Sequence, residues 1–295
     1  MDFVGEALPA VTRHQSRSGH RMSLSISVIV TTYNNPHALA LVLAGLSRQT
    51  RAPSELLIAD DGSGPDTQAV VERWAARLAW PVRHVWQPDE GFRKCHILNK
   101  AIAAAAGDYL VFFDGDCVAP AHCLAVHAAR AAPHRYLSGG KVLLDARVSQ
   151  ALDEAAVLRG DLDRVAGWWL GVGKKRRLIV SRIPWLRDRL DRNVRRPPGW
   201  RGENASTFAA HARAVGGFDE RFTYGYEDAD FGQRLLLAGV IGQSLRYTAP
   251  VYHLDHPRPW AKPEVIAANK ALYDANRAAQ VIATPHGLPL AHPPD

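Results

Sequence analysis

The sequence predicts an α/β fold in which a mostly parallel central sheet is covered by helices. In the first half of the chain, short apolar and β-branched runs alternate with segments whose apolar residues recur at helical spacing, which is typical of parallel sheets. The composition, 47% hydrophobic and 22% charged over 295 residues, suffices for a full core. Polar residues end the strand-like runs, and ligands of such sheets bind beyond the carboxyl ends of the strands. The sequence therefore predicts a ligand site at that edge.

The elements of the first half follow one another regularly. The predicted strands are "SISVIVTTYNN" from Ser25, "SELLIADDGSG", "PVRHVWQ" and "DYLVFF". Between them we expect the helix "PHALALVLAGLSRQT" with Pro36 in its first turn, and the helix "DTQAVVERWAARL" with Asp66 or Thr67 as N-cap. A third helix, "CHILNKAIAAAAG", is expected to end at Gly107.

The alternation stops near Gly140, and neither an internal repeat nor a low-complexity linker is found. We therefore predict one domain over residues 25–275, in which residues 25–140 form a ligand-binding half and residues 141–275 complete the site. Residues 1–24 are predicted to be a loose leader, because they lack the basic and apolar blocks of a signal peptide. Residues 276–295 are predicted to be a C-terminal tail.

The cysteine content indicates a reduced, cytoplasmic setting. Cys95, Cys117 and Cys123 form no CxxC pair and are too few for a disulfide framework. No apolar run is long enough to span a bilayer.

Positive charge is concentrated in one segment. Residues 174–201 hold eleven Lys/Arg and two Asp, a local charge of +9 within a chain of net charge +7. Apolar residues are interleaved with these charges: Ile179, Ile183, Trp185 and Leu186. A solvated helical face, a nucleic-acid patch, an anionic membrane contact and a contact to a phosphorylated substrate all fit this pattern.

Two aspartates follow the fourth predicted strand in "YLVFFDGDCV". Asp114 and Asp116 can close a surface turn, which the sequence D-G-D favours. Alternatively they hold a cation together, because residues two apart in an extended segment face the same side. Gly115 permits close backbone approach. Carboxylates suit Mg²⁺ or Mn²⁺, and the position at the end of a parallel strand favours a metal.

A second acidic group opens the predicted helix in "GYEDADFGQRLLLAG". The apolar face of this helix comprises Phe231, Leu235 and Ala238, and Gly239 ends it. Glu227, Asp228 and Asp230 lie at its N-terminus, where a single acid would satisfy capping and the helix dipole. An additional carboxylate can serve as a general base toward a hydroxyl.

Two histidines occur in "VYHLDHPRPW", after the strand-like run "SLRYTAPVY". A lone histidine is more often a surface or core residue than a ligand. His253 and His256 flank Asp255, and the chain already holds a carboxylate pair, so one of them is a candidate third metal ligand.

Six segments in order resemble the family 2 glycosyltransferases of the GT-A fold, from Ser25 to Trp260. They are "VIVTTYNN", "IADDGSGPDT", "GFRKCHILNKAI", "FFDGDC", "GGFDERFTYGYEDADFGQRL" and "YHLDH". The resemblance is to the subset with a galactosyltransferase-like C-terminal half, such as bacterial chondroitin polymerases and β-1,4-galactosyltransferases.

The resemblance implies roles for individual residues. The donor-binding residues would be Thr32, Tyr33, Asp60 or Asp61, Arg93, Asp114 and Asp116, the last two forming the DxD motif. Asp116 would reach Mn²⁺ or Mg²⁺, with His253 as the better-matching ligand and His256 as its competitor. Asp228 of the Glu227–Asp228 pair would be the catalytic base, and Trp200, Glu203 and Asn204 would border the acceptor. Tyr224 and Tyr226 in "TYGYED" replace the family's more common residues.

The resemblance also implies an activity. It is inverting, metal-dependent transfer of a hexose or N-acetylhexosamine from a UDP-sugar to a hydroxyl of a bacterial surface glycan precursor (lipopolysaccharide, capsule or exopolysaccharide), forming a β-linkage. Segment 174–201 would then contact the cytoplasmic face of the inner membrane or the phosphates of the acceptor.

Two other functions compete with this interpretation. A nucleotidyl-transferring or phosphodiester-cleaving enzyme would use the same acids for metal and segment 174–201 for nucleic acid, but no two-metal or Gly-rich nucleotidyltransferase signature supports it. The other alternative is a non-catalytic sugar-nucleotide-binding module. Dinucleotide oxidoreductases and phosphate-loop ATPases are disfavoured, because GxGxxG and GxxxxGK[ST] are absent.

Overall fold

The computed structural model describes residues 24–164, 183–194, 197–257 and 259–290. The predicted leader lies outside these residues except for Leu24, as do residues 174–182 and 195–196 of the basic segment. The strands are β1 Ile26–Thr32, β2 Glu55–Asp60, β3 Val82–Trp86, β4 Tyr109–Asp114, β5 Cys117–Val118, β6 Arg135–Gly139, β7 Lys141–Leu143, β8 Asn204–Phe208, β9 Ile241–Leu245 and β10 Val251–His253. The helices are α1 Pro36–Ser47, α2 Pro65–Ala75, α3 Lys94–Ala104, α4 Cys123–Arg130, α5 Ala146–Ala151, α6 Glu154–Arg159, α7 Asp161–Arg164, α8 Pro184–Arg192, α9 Ala209–Ala214, α10 Glu227–Leu237 and α11 Pro263–Ala278.

A seven-stranded sheet in the order β3-β2-β1-β4-β8-β6-β9 forms the centre of the molecule. Strands β1 to β4 pair in parallel, whereas β8 is antiparallel to both β4 and β6. A smaller sheet pairs β5, β10 and β7. The expected α/β fold with a mostly parallel, helix-covered sheet is therefore confirmed.

The two faces of the large sheet carry separate cores. Along β1, Val28 and Val30 pack on the side of α1 and α2, whereas Ile29 packs on the side of α3 and α10. This alternation explains why the strands are apolar throughout, because both faces are buried. Helices on both faces leave the carboxyl ends of the strands as the accessible edge.

Three helix and strand boundaries differ from the prediction. The N-cap of α2 is Gly64, because Pro65 already occupies the first helical turn. Helix α3 ends at Ala104, since Ala105 is extended, and Gly107 instead packs against the backbone of Ser27. The expected strand "SLRYTAPVY" is divided by a turn between β9 and β10. The predicted end of α10 is confirmed: Gly239 follows it with φ +80°.

The second half extends further than expected. Helix α11 continues to Ala278, beyond the predicted domain end at residue 275. Residues after it pack on the body of the molecule: the Leu288 N–H donates to the Gly216 carbonyl at 2.8 Å, and the Glu220 N–H donates to the His286 carbonyl at 2.8 Å.

The three cysteines are buried free thiols. Among the described helices, none combines the length and the apolar character that crossing a membrane would require.

Candidate active site

A cavity of about 750 Å³ opens at the carboxyl ends of β1, β2 and β4. The cavity lies at the edge that the polar strand ends predict, and residues from both halves of the chain line it. The register places Thr32 beside Asp60 and Thr31 beside Asp114, so three polar strand ends meet at one edge.

One end of the cavity is lined by Thr32, Tyr33 and Asp61. The Asp61 carboxylate accepts hydrogen bonds from Gln87 Nε2 at 2.6 Å and from the Arg93 N–H at 2.8 Å. Burial raises the pKa of Asp61, and these two donors oppose the rise without cancelling it. These two hydrogen bonds hold the Asp61 carboxylate in one orientation at this end of the cavity.

The other two predicted residues of this region do not line the cavity. Asp60 is fully buried; it accepts from the Ser63 N–H at 2.8 Å and faces His84 Nε2 at 2.8 Å. The Arg93 side chain pairs with Glu90 instead. Of the two aspartates left open by the sequence, Asp61 therefore reaches the cavity and Asp60 supports the loop beneath it.

Asp114 and Asp116 both line the cavity, but not as neighbours on one extended strand. β4 ends at Asp114, and Gly115 and Asp116 form a turn, so the expected extended geometry is wrong. A Cβ at residue 115 would lie 2.4 Å from the Thr31 carbonyl oxygen, so only glycine fits there. Asp114 Oδ1 accepts from Lys94 Nζ at 2.6 Å and from Thr31 Oγ1 at 2.9 Å.

Asp116, His253 and His256 form a cluster whose potential ligand atoms all lie within 4.8 Å of one another. His256 Nε2 lies 2.7 Å and His253 Nε2 lies 3.8 Å from Asp116 Oδ2. The two imidazole planes are nearly parallel, with centroids 5.5 Å apart. The structure thus brings both candidate histidines to Asp116.

The backbone orients both imidazoles of the cluster. His253 Nδ1 lies 2.7 Å from the Leu254 carbonyl and His256 Nδ1 lies 2.8 Å from the Pro257 carbonyl. A proton on each Nδ1 directs each Nε2 toward Asp116, an arrangement common among metal-binding histidines. Burial alone would raise the pKa of Asp116, but His256 and His253 outweigh it and lower the value to about 2. Asp116 is therefore an ionised carboxylate.

Asp228 lies in the first turn of α10, on the part of the cavity wall that the second half of the chain supplies. Its Oδ2 accepts from the Gly202 N–H at 2.9 Å, while Oδ1 is buried without a hydrogen-bond partner among the described residues. Burial raises the pKa of Asp228 to about 8; Lys94 opposes the rise, and Glu227, Glu203 and Asp114 add to it. An acid with these properties is suited to accept a proton near neutral pH.

Lys94 is a cavity residue to which the sequence analysis assigns no role. Its ammonium pairs with Asp114, and although burial alone would lower its pKa, the charges of Asp114, Asp228 and Glu227 raise the pKa well above the usual value. Lys94 is the first residue of α3, where the helix dipole disfavours a cation. A cation beside the start of a predicted helix is therefore the sequence feature that could have pointed to a functional role for Lys94.

Of the three residues expected to border the acceptor, one lines the cavity. Glu203 lines the cavity, and its Oε1 lies 3.2 Å from Lys141 Nζ, another residue missed from sequence. Trp200 is instead a core residue, 3% exposed, with its ring 4.8 Å from that of Phe231. Asn204 is fully buried, and its Nδ2 donates to the Ala249 carbonyl at 2.8 Å. The structure does not bring Trp200 or Asn204 to the cavity.

Aromatic rings from both halves meet along one wall of the cavity. Tyr33 and Trp260 lie edge to face with centroids 5.8 Å apart, and Phe92 and Tyr224 do so at 5.6 Å. Phe92 and Trp260 come within 6.3 Å and join the two pairs. The wall offers apolar ring faces beside the charged groups, as sites for ring-shaped ligands do.

The chain shares sequence with curated glycosyltransferases. Validoxylamine A glucosyltransferase of Streptomyces hygroscopicus subsp. limoneus is 32% identical over 238 residues, covering 73% of this chain and 48% of the relative. Chondroitin synthase of Escherichia coli is 28% identical over 247 residues, covering 79% of this chain and 35% of the relative. The chain thus spans about half the length or less of these curated relatives.

Solved structures share the fold. The mannosyltransferase PcManGT of Pyrobaculum calidifontis, in complex with GDP-Man and Mn²⁺, superposes with a TM-score of 0.56 at 21% identity, covering 89% of this chain and 65% of that chain. S. aureus TarS in complex with UDP-GlcNAc gives a TM-score of 0.54 at 19% identity, covering 85% and 66%.

A family model matches the first half of the chain, which carries the polar ends of β1, β2 and β4. Residues 27–143 match the model described as Glycosyl transferase family 2. With the relatives and the shared architecture, this match identifies a family 2 glycosyltransferase domain in this chain, built on the GT-A fold.

Proposed function

We propose that the chain is an inverting, metal-dependent glycosyltransferase. It moves a hexose or N-acetylhexosamine from a UDP-sugar to a hydroxyl of a bacterial surface glycan precursor, such as a lipopolysaccharide, capsule or exopolysaccharide intermediate, and forms a β-linkage. One observation carries the proposal: a single cavity holds the Asp116–His253–His256 cluster and, on a separate element, the buried carboxyl of Asp228.

The cluster fits a divalent cation. One carboxylate oxygen and two imidazole nitrogens make a mixed oxygen and nitrogen donor set, which suits Mn²⁺, and Mg²⁺ is the alternative. Both imidazoles are held by backbone carbonyls, so the ligand atoms are already oriented. When bound there, the cation would neutralise charge on the diphosphate of the donor.

Asp228 is the group that accepts the proton. It takes the proton from the acceptor hydroxyl as the acceptor oxygen forms its bond to the anomeric carbon. The bond between that carbon and the diphosphate oxygen breaks, and the diphosphate leaves with its electron pair. A single displacement of this kind inverts an α-linked donor to a β-linked product, with no covalent enzyme intermediate.

The remaining cavity residues bind and orient the substrates. Tyr33 and Asp61, with Thr32, would hold the nucleotide base, and Asp114 would face the ribose. Lys94 supplies positive charge between Asp114 and the acids of α10. Glu203 and Tyr224 would contact the acceptor, while the roles first expected for Asp60, Arg93, Trp200 and Asn204 become supporting ones, since their side chains lie outside the cavity.

The relatives and structural neighbours differ in the substrates that their names give, so the donor and the acceptor of this chain are part of the proposal. Their names and complexes include GDP-Man, UDP and UDP-GlcNAc as bound nucleotides, and validoxylamine A and chondroitin as acceptor or product. The UDP preference proposed for this chain follows its resemblance to the chondroitin polymerases.

A peripheral contact with the cytoplasmic face of the inner membrane is part of the same proposal. Of segment 174–201, the described part includes α8, where Trp185 is 67% exposed and Arg189 and Arg192 are also exposed. These residues follow one another at helical spacing, so an indole and two guanidinium groups share a face that suits an anionic lipid surface.

The first experiment measures thermal unfolding with a panel of nucleotide sugars, each with and without Mn²⁺. A ligand that binds only the folded protein raises the midpoint, so one UDP-sugar should give a Mn²⁺-dependent rise. Asp116→Asn should abolish that dependence, whereas Asp255→Asn, an exposed neighbour of the cluster, should retain it.

The outcomes separate the competing functions. A salt-sensitive shift with DNA and none with any nucleotide sugar would support the nucleotidyl-transfer alternative. A Mn²⁺-dependent shift without turnover over a broad acceptor panel would support a non-catalytic binding module.

A further inference from the structure

Helix α11 packs along the segment that carries Asp228, residues 223–230. Four residues of α11 face this segment at spacings of three and four, which places them on one side of the helix. They are Ile266, Asn269, Tyr273 and Asn276, and we call them the bracing face. The other long side of α11 is exposed and includes Lys270 and Asp274.

Each residue of the bracing face contacts a different part of the segment. Asn269 is 5% exposed, and its Nδ2 donates to the Tyr224 carbonyl at 3.0 Å. The ring of Tyr273 lies 5.6 Å from that of Tyr226. Ile266 covers residue 225, where a Cβ would lie 3.7 Å from its Cγ1.

The last of these contacts reaches the helix α10 itself. Asn276 Nδ2 donates to Asp230 Oδ1 at 2.8 Å, and Asn276 Oδ1 accepts from Arg221 Nη2 at 3.1 Å. Asp230 is 1% exposed, so this hydrogen bond is made in the interior. The contacts of α11 therefore begin before Asp228 in sequence and end after it.

The segment needs such support, because its backbone is unfavourable on its own. Gly225 and Tyr226 are consecutive residues in the left-handed region, with φ of +97° and +69°. This conformation costs free energy at a tyrosine and persists only where neighbouring structure holds it. Tyr226 is also the N-cap of α10, and it provides no side-chain capping hydrogen bond.

Asp228 depends on this backbone for its orientation. Its side chain has one hydrogen bond among the described residues, from the Gly202 N–H, and its Oδ1 is buried without a partner. A carboxyl with a single anchor points where its backbone directs it. Small displacements of a catalytic group reduce the rate by large factors.

We propose that the bracing face of α11 sets the orientation of Asp228, with Asn269 and Tyr273 as positioning residues. The inference rests on the proposed role of Asp228 as the catalytic base. Neither residue lines the cavity, so both act through Tyr224 and Tyr226, which do. Helix α11 thus contributes to the reaction although it supplies no group to the substrates.

The kinetic test uses Asn269→Ala and Tyr273→Ala, with two matched controls. Tyr273→Phe keeps the ring that packs on Tyr226, and Lys270→Ala changes the exposed side of the same helix. We expect kcat to fall by roughly tenfold to a hundredfold in the two alanine variants, with the donor KM and the Kd for Mn²⁺ within about twofold of wild type. Both controls should keep the wild-type kcat.

Two kinetic results would overturn the proposal. Unchanged kcat in both alanine variants would mean that the segment keeps its conformation without α11. A parallel loss of kcat, donor binding and Mn²⁺ binding would mean that α11 supports the whole fold and has no particular role for Asp228. If Asn269→Ala does not fold, Tyr273→Ala removes only a half-buried ring and carries the test.

A second readout does not need turnover. Hydrogen exchange at the amides of residues 223–230 should be faster in Asn269→Ala than in wild type, with β1 to β4 unchanged. Equal exchange in the two proteins would overturn the bracing contact. Faster exchange in a protein that shows no transferase turnover would instead overturn the proposed activity and support the contact, so the two failures are distinguishable.

Discussion

At the scale of a single residue, the environment of Asp228 gives this carboxyl a pKa that suits a general base. Burial holds its pKa near 8, and Lys94, the principal opposing group, keeps the value from rising further. The same environment makes the ionised form costly, because Oδ1 has no donor among the described residues. The proposed catalysis and the stability of the fold therefore depend in opposite ways on the charge of this carboxyl.

The charge of Asp228 predicts the pH dependence of catalysis. A base acts only when deprotonated, so kcat/KM should rise with pH and level off above about 8. The measurement is kcat/KM between pH 5.5 and 9.5 at saturating Mn²⁺. A rate that is flat across this range would contradict the assignment.

Asp228→Asn separates catalysis from stability. The variant should lose activity by roughly 10²- to 10⁴-fold, since it cannot accept the proton. The pKa of Asp228 is higher in the folded than in the unfolded protein, so the folded wild type binds more protons and loses stability as pH rises from about 4 to about 8. The midpoint of Asp228→Asn relative to wild type should therefore be higher at pH 9 than at pH 5. A relative midpoint that is independent of pH would contradict the shift.

Sequence reasoning placed at the cavity those residues that a local pattern marks, and it misplaced residues whose position is decided by packing. Asp116, Asp228 and His253 follow strand ends or open a helix, so their neighbours in sequence reveal them. Trp200 was assigned to the acceptor, but its ring completes the core beside Phe231. An indole suits both places, and only the tertiary neighbours decide between them.

At the scale of elements, α10 is anchored by a buried ion pair. Arg234 Nε lies 2.8 Å from Asp230 Oδ2, and the side chains are 1% and 2% exposed. Arg234 Nη1 also donates to the carbonyls of Val215 and Gly217 at 2.6 Å and 2.7 Å. The pair thus ties α10, the helix that carries the proposed catalytic base, to the loop that precedes it.

Breaking this pair should be costly. Arg234→Met leaves Asp230 buried without its cation and should lower the free energy of unfolding by about 3–5 kcal/mol. The measurement is chemical denaturation of the variant and wild type. Lys270→Met removes the cation of an exposed pair with the same i,i+4 spacing and should leave the midpoint in place. Equal effects of the two substitutions would contradict the importance of burial.

The regular elements of the first half were predictable because two rules agree there. Apolar runs of strand length and apolar residues at helical spacing alternate, and β1 to β4 and α1 to α3 all occur in the expected order, with shifted boundaries only at the start of α2 and the end of α3. The division of "SLRYTAPVY" was not predictable from β propensity, because β9 pairs with β6 and β10 joins the smaller sheet. Pairing partners far away in sequence decide where such a run breaks.

At the scale of the whole molecule, residues after α11 help to hold the second half together. Thr284 is fully buried and donates to Asp219 Oδ2 at 2.9 Å. Gly287 lies against the carbonyls of Gly216 and Phe218, where a Cβ would come within 2.2 Å and 2.6 Å of their oxygens. These contacts resemble those of a core segment more than those of the predicted tail.

Deletion of residues 281–295 should therefore destabilise the protein. The shortened chain exposes residues 216–219, which are buried in the full chain, and leaves Asp219 without the Thr284 hydroxyl, so the thermal midpoint should fall by several degrees. The measurement is thermal unfolding followed by circular dichroism. Ile282→Ala, at an exposed residue of the same segment, serves as the control, and equal midpoints for this variant and the deletion would contradict the prediction.

The antiparallel strand β8 restricts how the molecule can move. Because β8 pairs with both β4 and β6, the strands behind the two walls of the cavity belong to one continuous sheet. A hinge that opened the halves as rigid bodies would break those ladders and expose their backbone groups. Any opening of the cavity is therefore left to the loops at the strand ends, because these can move without breaking the ladders of the sheet.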